Sequence, residues 1–492
     1  MRWAFVMNWG RQGGQSVITL ILAALLGPEA FGLVAMAMVY LAFFQLFLGM
    51  GLTGALIHRT DLEPGHLDAA FWLVMATTGA LVVLSLLAAE PWAAANRTPA
   101  LADAIRALTP TLLFRGLSVV QQAILQKRMD FRALAIRSNL AVLGGGIVGL
   151  VMAASGFGLW ALVAQQLITT FCEAALLWKL SAWRPRLRFS PPLARELLSF
   201  SSRVLLSRLG LFAQRRSDAV ILGYFFGPVA LALYRMGERL MQLAIELCTR
   251  PIAVVALPNF SRLQNDPDEL RRAGTATLKA SAILGIPALT GLALVSEPLV
   301  ALIGERWQAV APVLEILCIL GAARTLTLFT GSLLQAVGRP GLLAAIQWSL
   351  AVVNVVTFTG VGLFLREAPV LEQIQGIAAV RTGAFVLLYM PVSLGLLLHF
   401  SGNTPTSLLR AVVPAGVGAL GVAAAVWIAR VAMGPGFAAP LQLAIEVAVG
   451  GVVGVAVLAG VDADFRRQAA GLVTRLHELL APRRMQPGSG RD

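Results

Sequence analysis

Apolar runs of about 20 residues, separated by short polar breaks, dominate this chain. A helix needs roughly 20 mostly apolar residues to cross the hydrocarbon layer. Fourteen runs qualify: 8–26, 31–52, 69–89, 107–126, 134–155, 157–178, 200–224, 228–251, 277–296, 308–331, 342–365, 373–398, 409–430 and 440–460. Tight-turn signals mark several breaks, among them Gly27-Pro28, Ser155-Gly156, Gly227-Pro228 and Arg339-Pro340-Gly341. The seventh run is the most polar, with Arg203, Arg208, Arg215, Arg216 and Asp218 inside it. The pattern predicts an all-α polytopic membrane protein of about 14 transmembrane helices. Arg2 and Arg11 give the first run the look of a signal peptide, but no small-x-small site follows it cleanly. The same Gly-Pro turn recurs after the seventh run, where cleavage is impossible, so the first run is expected to stay as a span.

Composition agrees. Of 492 residues, 58% are hydrophobic and 13% charged, against about 25% charged in soluble domains. Mean hydropathy is +0.77. These values exclude a cytosolic enzyme, a secreted disulfide scaffold and a disordered chain. The net charge is +14, from 39 Lys+Arg and 25 Asp+Glu. With a cytoplasmic N-terminus, 25 basic residues fall on the cytoplasmic side, 5 on the opposite side and nine within spans. That asymmetry fits the positive-inside rule, predicts that both termini are cytoplasmic, and accounts for the charge without nucleic acid. The longest outer loop, Glu90–Arg106, is too short for a folded domain. Cys172, Cys248 and Cys318 lie apart in apolar stretches, and His58, His66, His399 and His477 show no metal spacing. Beyond residue 461 an amphipathic stretch (Phe465, Leu472, Leu476, Leu479) precedes a Pro/Gly-rich end, read as a surface helix and a disordered tail.

The chain repeats itself weakly at an offset of 200. Ile21-Leu22 pairs with Ile221-Leu222, Gly27-Pro28 with Gly227-Pro228, and Ala30, Leu33 and Met36 with Ala230, Leu233 and Met236. The repeat predicts an N-terminal lobe over 1–198, with its linker, and a C-terminal lobe over 199–400. Two extra spans (401–460) and a cytoplasmic tail (461–492) follow. Six spans per copy is an even number, so both lobes enter in the same direction, pseudo-symmetric about the membrane normal with a central cavity between them.

Ionisable groups at bilayer depth are costly and usually face a cavity or a partner. Arg115, Arg208, Arg215, Arg216, Arg235, Arg239, Arg324 and Arg381 are the candidate substrate-binding residues of a cationic cavity. The acids Glu173, Asp218, Glu238 and Glu246 are candidates for ion coupling. Arg235, Glu238, Arg239, Gln242, Glu246 and Arg250 recur at steps of three or four and form one polar stripe. The same charges also admit a purely structural role. Arg235 could pair with Glu238, Arg239 with Glu246, and Asp218 with Arg215, whereas Arg381 has no acid close in sequence. Guanidinium presents phosphate with a fork of donors and keeps its charge. With apolar flanks, such a cavity suits a lipid-linked phosphate or diphosphate.

Several segments resemble one family: RQGGQSVITLILAALLGPEAFGLVAMAMVYLAFFQLFLGMGLTGALIHR at Arg11–Arg59, GFGLWALVAQQL at Gly156–Leu167, SAWRPRLRFS at Ser181–Ser190, ALPNFSRLQNDPDELRRA at Ala256–Ala273, EPLVALIGERW at Glu297–Trp307 and LLQAVGRP at Leu333–Pro340. Together they are similar to the polysaccharide transporter family, the Wzx-type oligosaccharide flippases of the multidrug/oligosaccharidyl-lipid/polysaccharide exporter superfamily. The likeness leans to the colanic-acid and exopolysaccharide type. It implies two six-helix lobes and movement of undecaprenyl-diphosphate-linked sugars from the cytoplasmic to the periplasmic leaflet of the bacterial inner membrane. The expected partners are the lipid-linked oligosaccharide, membrane lipids, Na⁺ or H⁺ as coupling ion, and polysaccharide polymerase machinery. No catalytic residue, metal or cofactor is expected. Two other functions compete with this one. A multidrug/toxin extruder of the same superfamily should carry cavity carboxylates, and the arginine surplus repels organic cations. A polysaccharide polymerase or ligase needs acids and histidines in a sizeable outer loop, which the chain lacks.

Overall fold

The computed structural model describes residues 2–48, 52, 54, 56, 64–188, 190–434 and 437–467. The side chains of Arg208 and Arg215 lie outside the description, as does the expected tail beyond Arg467. In chain order the helices are α1 (Arg2–Leu25), α2 (Pro28–Phe47), α3 (Pro64–Ala95), α4 (Ala100–Leu108), α5 (Pro110–Lys127), α6 (Phe131–Ala154), α7 (Leu159–Leu180), α8 (Pro191–Leu263) and α9 (Pro267–Leu294). They continue as α10 (Ser296–Ile303), α11 (Val310–Thr327), α12 (Thr330–Ala336), α13 (Pro340–Phe364), α14 (Val370–Ala384), α15 (Met390–Ser401), α16 (Pro405–Met433) and α17 (Ala439–Val461). No strand occurs among the described residues. Eleven helical stretches among those residues are long and apolar enough to cross a membrane. The runs read at 8–26 and 107–126 fall on α1, whose apolar stretch is Gln12–Leu25, and on α5, which carries Arg115 and three glutamines.

Local chemistry sets the boundaries. Pro28 opens α2, where its missing N–H costs nothing. Asp130 caps α6 by accepting from the Ala133 N–H at 3.0 Å. Asp266 caps α9 through the N–H groups of Asp268 and Glu269, both at 3.1 Å. Thr404 and Ser407 form a reciprocal capping box on α16. The turn read at Gly227-Pro228 is a break inside α8: Gly227 has φ 79° and ψ −173°, a conformation essentially reserved for glycine. It divides α8 into two limbs.

Contacts group the chain into two compact units. The first is Met1–Arg239 with Val300–Leu317 and Pro340–Phe385. The second is Leu240–Leu299 with Cys318–Arg339 and the chain from Val386 onward. In the first unit small residues let helices touch. A Cβ added at Gly145 of α6 would lie 1.9 Å from Thr169 Oγ1 of α7, and one at Gly146 would lie 2.2 Å from Ile18 of α1. One at Gly32 of α2 would lie 1.9 Å from the Pro228 carbonyl oxygen, so the start of α2 rests on the turn in α8. Trp307 closes the 3₁₀ turn Glu305–Trp307 after α10 and is buried. Its indole N–H donates to the Ala23 carbonyl at 2.8 Å, and its ring meets Phe31 edge-on at 5.5 Å. Ala23 lies in the last turn of α1, where carbonyls lack partners in the helix. The basic linker after α7 is pinned to α3, because Asp68 accepts from the Arg186 N–H at 3.0 Å and Trp72 donates to the Arg186 carbonyl at 2.8 Å.

The second unit is organised by α9, α16 and α17. At one end of it, Lys279 of α9 binds Asp462 at 2.6 Å and Asp464 at 3.0 Å, just past α17. Burial works to raise the Asp462 carboxyl, but hydrogen bonds from Lys279 and the Phe465 N–H outweigh it and hold the group below its ordinary value. Lys279 lowers Asp464 in the same way. A carboxyl lowered by folding stabilises at pH above its unfolded pKa of about 3.9 and loses that contribution as pH falls through the folded value. The thermal midpoint of Lys279→Met should therefore lie below that of the wild type near neutrality, and the gap should close in acid. A gap that persists unchanged at low pH would show that the clamp adds nothing.

Candidate functional site

Five charged or polar side chains meet inside the first unit. Asp218 comes from the limb of α8 before Gly227. Tyr234, Arg235 and Glu238 come from the limb after it, and Arg381 comes from the end of α14. Asp218 and Arg235 are 17 positions apart, which straight helix would hold about 25 Å apart. The reversal at Gly227 brings them to 3.6 Å. Arg235 and Glu238, one turn apart, bond at 2.5 Å. Arg381 Nη1 donates to Asp218 Oδ2 at 3.1 Å and to the Tyr234 hydroxyl at 2.5 Å, and forms an ion pair with Glu238 Oε1 at 2.9 Å. Asp218 Oδ1 also accepts from the Ala219 N–H at 2.7 Å. Side-chain exposure is 4% for Asp218, 12% for Arg381, 15% for Glu238 and 23% for Arg235. Among the described residues, two guanidinium groups thus face two carboxylates in a largely buried cluster, and these four charges sum to zero.

This geometry revises part of the electrostatic picture. The pair Arg235–Glu238 forms as its spacing suggested. The Asp218–Arg215 pairing falls on a side chain outside the described residues; Asp218 instead binds Arg235 and Arg381. Arg381, which has no acid near it in sequence, finds two on α8. The two arginines do not add to a free positive field here. Both guanidinium groups are instead engaged by the carboxylates of Asp218 and Glu238.

The other candidates lie on several helices. Arg115 on α5, Arg239 on α8 and Arg324 on α11 are half-buried, and Arg216 on α8 is exposed. Arg324 and Glu246 belong to the second unit. Glu173 on α7 is half-buried, 3.9 Å from Arg137 of α6. Arg137 is buried and also donates to Gln122 of α5 at 3.4 Å. Neither Arg137 nor Tyr234 is among the candidates drawn from the sequence. Tyr234 left one usable signal, a hydroxyl one position before Arg235 on a face already polar.

Comparison with known proteins gives a consistent set of likenesses. Residues 21–312 match the family described as "Polysaccharide biosynthesis protein". The chain is 25% identical over 445 residues to the "Succinoglycan biosynthesis transport protein ExoT" of Rhizobium meliloti, covering 85% of this chain and 90% of that one. It is 25% identical over 326 residues to the "Lipopolysaccharide biosynthesis protein WzxC" of Escherichia coli, covering 65% of each. Among solved structures, "Lipid II flippase MurJ, inward closed conformation" superposes with a TM-score of 0.71 at 12% identity, over 92% of this chain and 97% of that one. At that identity the likeness establishes a shared fold.

Proposed function

The chain belongs to the polysaccharide biosynthesis protein family, and on that premise we propose that it is a flippase for a lipid-linked oligosaccharide. It is a multi-pass membrane transporter and not an enzyme, in keeping with its family and with relatives whose names describe transport in polysaccharide biosynthesis. The observation that carries this reading is the match to a named transport protein across 85% of the chain. The cargo we infer is an undecaprenyl-diphosphate-linked repeat unit, moved from the cytoplasmic to the periplasmic leaflet for exopolysaccharide, capsule or O-antigen. The host membrane is a bacterial inner membrane, and both termini face the cytoplasm, in line with the charge asymmetry of the loops.

The physical demand is to carry a diphosphate past hydrocarbon while its chain stays in lipid. Within the first unit, Arg235 and Arg381 supply the donors for that headgroup. On this reading Arg115, Arg216 and Arg239 are further donors to the headgroup, and the internal repeat supplies two lobes, 1–198 and 199–400. Alternating access between those lobes moves the cargo. Na⁺ or H⁺ acts as coupling ion through Glu173, Asp218, Glu238 or Glu246, and a polysaccharide polymerase receives the product.

Deleting the gene is the direct test. The expected result is loss of surface polysaccharide with undecaprenyl-linked repeat units retained on the cytoplasmic face. Normal surface polysaccharide, or repeat units that reach the outer leaflet at the wild-type rate, would reject the reading.

A further inference from the structure

We propose that Asp218 and Glu238 are built-in competitors for the substrate anion: they hold Arg235 and Arg381 when the site is empty, give them up to the diphosphate, and reclaim them to expel it. The inference rests on the reading that these two arginines receive the diphosphate, and it adds how binding there is limited.

Three observations carry it. First, among the described residues the charges of the cluster balance, two carboxylates against two guanidinium groups. A diphosphate entering that arrangement unchanged would meet two like charges and no net attraction. Binding therefore requires the carboxylates to leave the arginines.

Second, the carboxylates use the positions a phosphate would use. Arg381 Nη1, with two hydrogens, donates to Asp218 and the Tyr234 hydroxyl and also pairs with Glu238, three oxygens around one nitrogen. Guanidinium has five N–H donors, so this is crowding at one corner of the fork. A phosphate group, with several oxygens around one centre, can spread across both nitrogens of each fork.

Third, one donor is held by charge without a hydrogen bond. Arg235 Nη2 lies 3.6 Å from Asp218 and is buried with no hydrogen-bond partner. A buried donor left in that state is costly. The carboxylates hold the arginines less completely than an anion with more oxygens would, so exchange in either direction stays within reach. A transporter needs such balance, since a site that binds its cargo too well does not release it.

Binding and turnover should then move in opposite directions. The test uses the purified full-length protein, with farnesyl diphosphate as the probe for binding. Turnover is read in proteoliposomes from the flux of a fluorescent polyprenyl-diphosphate oligosaccharide. Asp218→Asn and Glu238→Gln remove a competing charge at nearly constant shape. Each is expected to bind farnesyl diphosphate about tenfold tighter while its flux falls. Arg235→Gln and Arg381→Gln should lose binding. Asp218→Glu keeps the charge and should bind as the wild type does, which separates competition from a packing defect at that position. If the carboxamide variants bind no tighter than the wild type while the arginine variants lose binding, competition is refuted and the arginine site stands. If the arginine variants bind as well as the wild type, the diphosphate site is wrong and the competition falls with it. A carboxamide variant with both tighter binding and faster flux would also overturn the proposal, because expulsion would then not depend on the acids.

Discussion

Replacing Trp307 with alanine is expected to destabilise the first unit by about 3–5 kcal/mol, the range for truncating a large buried aromatic. Trp307 is the largest side chain among the fully buried described residues. Two separate losses add up. The cavity forfeits the packing against Phe31, and the Ala23 carbonyl at the end of α1 loses the indole N–H that satisfies it. Trp307→Phe separates them: it refills much of the space and leaves the carbonyl orphaned, so it should cost less, about 1–3 kcal/mol. Apparent thermal midpoints in one detergent, compared across the three proteins, check the ranking. Equal midpoints for wild type and Trp307→Ala would show that the turn after α10 is not anchored through this ring.

The second large effect belongs to the other unit. Glu446 of α17 is fully buried, and Arg430 of α16 grips it with two bonds, Nε to Oε1 at 3.0 Å and Nη2 to Oε2 at 3.1 Å. Gln442 donates to the same carboxylate at 2.8 Å, and Arg430 Nη2 reaches back to the Leu294 carbonyl of α9 at 2.6 Å. One guanidinium therefore ties three helices together. Arg430→Leu strands a buried carboxylate, and a cost of about 3–5 kcal/mol is expected. The double variant Arg430→Leu/Glu446→Leu removes both charges and should recover most of the loss, because a buried pair is often worth little more than the apolar groups that replace it. If the double variant is as unstable as the single one, the ion pair itself, and not the uncompensated charge, holds these helices.

Much of this architecture could be read along the chain, because membrane helices declare themselves by composition. Hydrocarbon rejects unpaired backbone groups, so each apolar run had to be helical. Turn chemistry was equally local: the Gly227-Pro228 break stands where two residues said it would, since only glycine tolerates its backbone angles. Charge partners were legible only at helical spacing. Arg235 and Glu238, three apart, could be paired in advance. Arg381 could not, because its acids lie on another helix and nothing in a linear pattern encodes which buried faces meet. The same holds for Trp307, whose acceptor lies at the end of α1. The short helix α4 fell inside and just beyond a stretch read as loop, although Leu101, Ile105 and Leu108 already form the buried side of a helix. The window used for spans is too long to register an element of that length.

Asp218 and Arg381 are separated by 163 positions, and that interval has a consequence for biogenesis. Synthesis delivers α8 first, and with it four of the five side chains of the cluster: Asp218, Tyr234, Arg235 and Glu238. The fifth arrives only when α14 emerges. Until then Asp218 and Glu238 lack one of the two guanidinium groups that hold them in the finished chain. Arg381 is thus the last of the five side chains to arrive, and the cluster cannot close until α14 has been made.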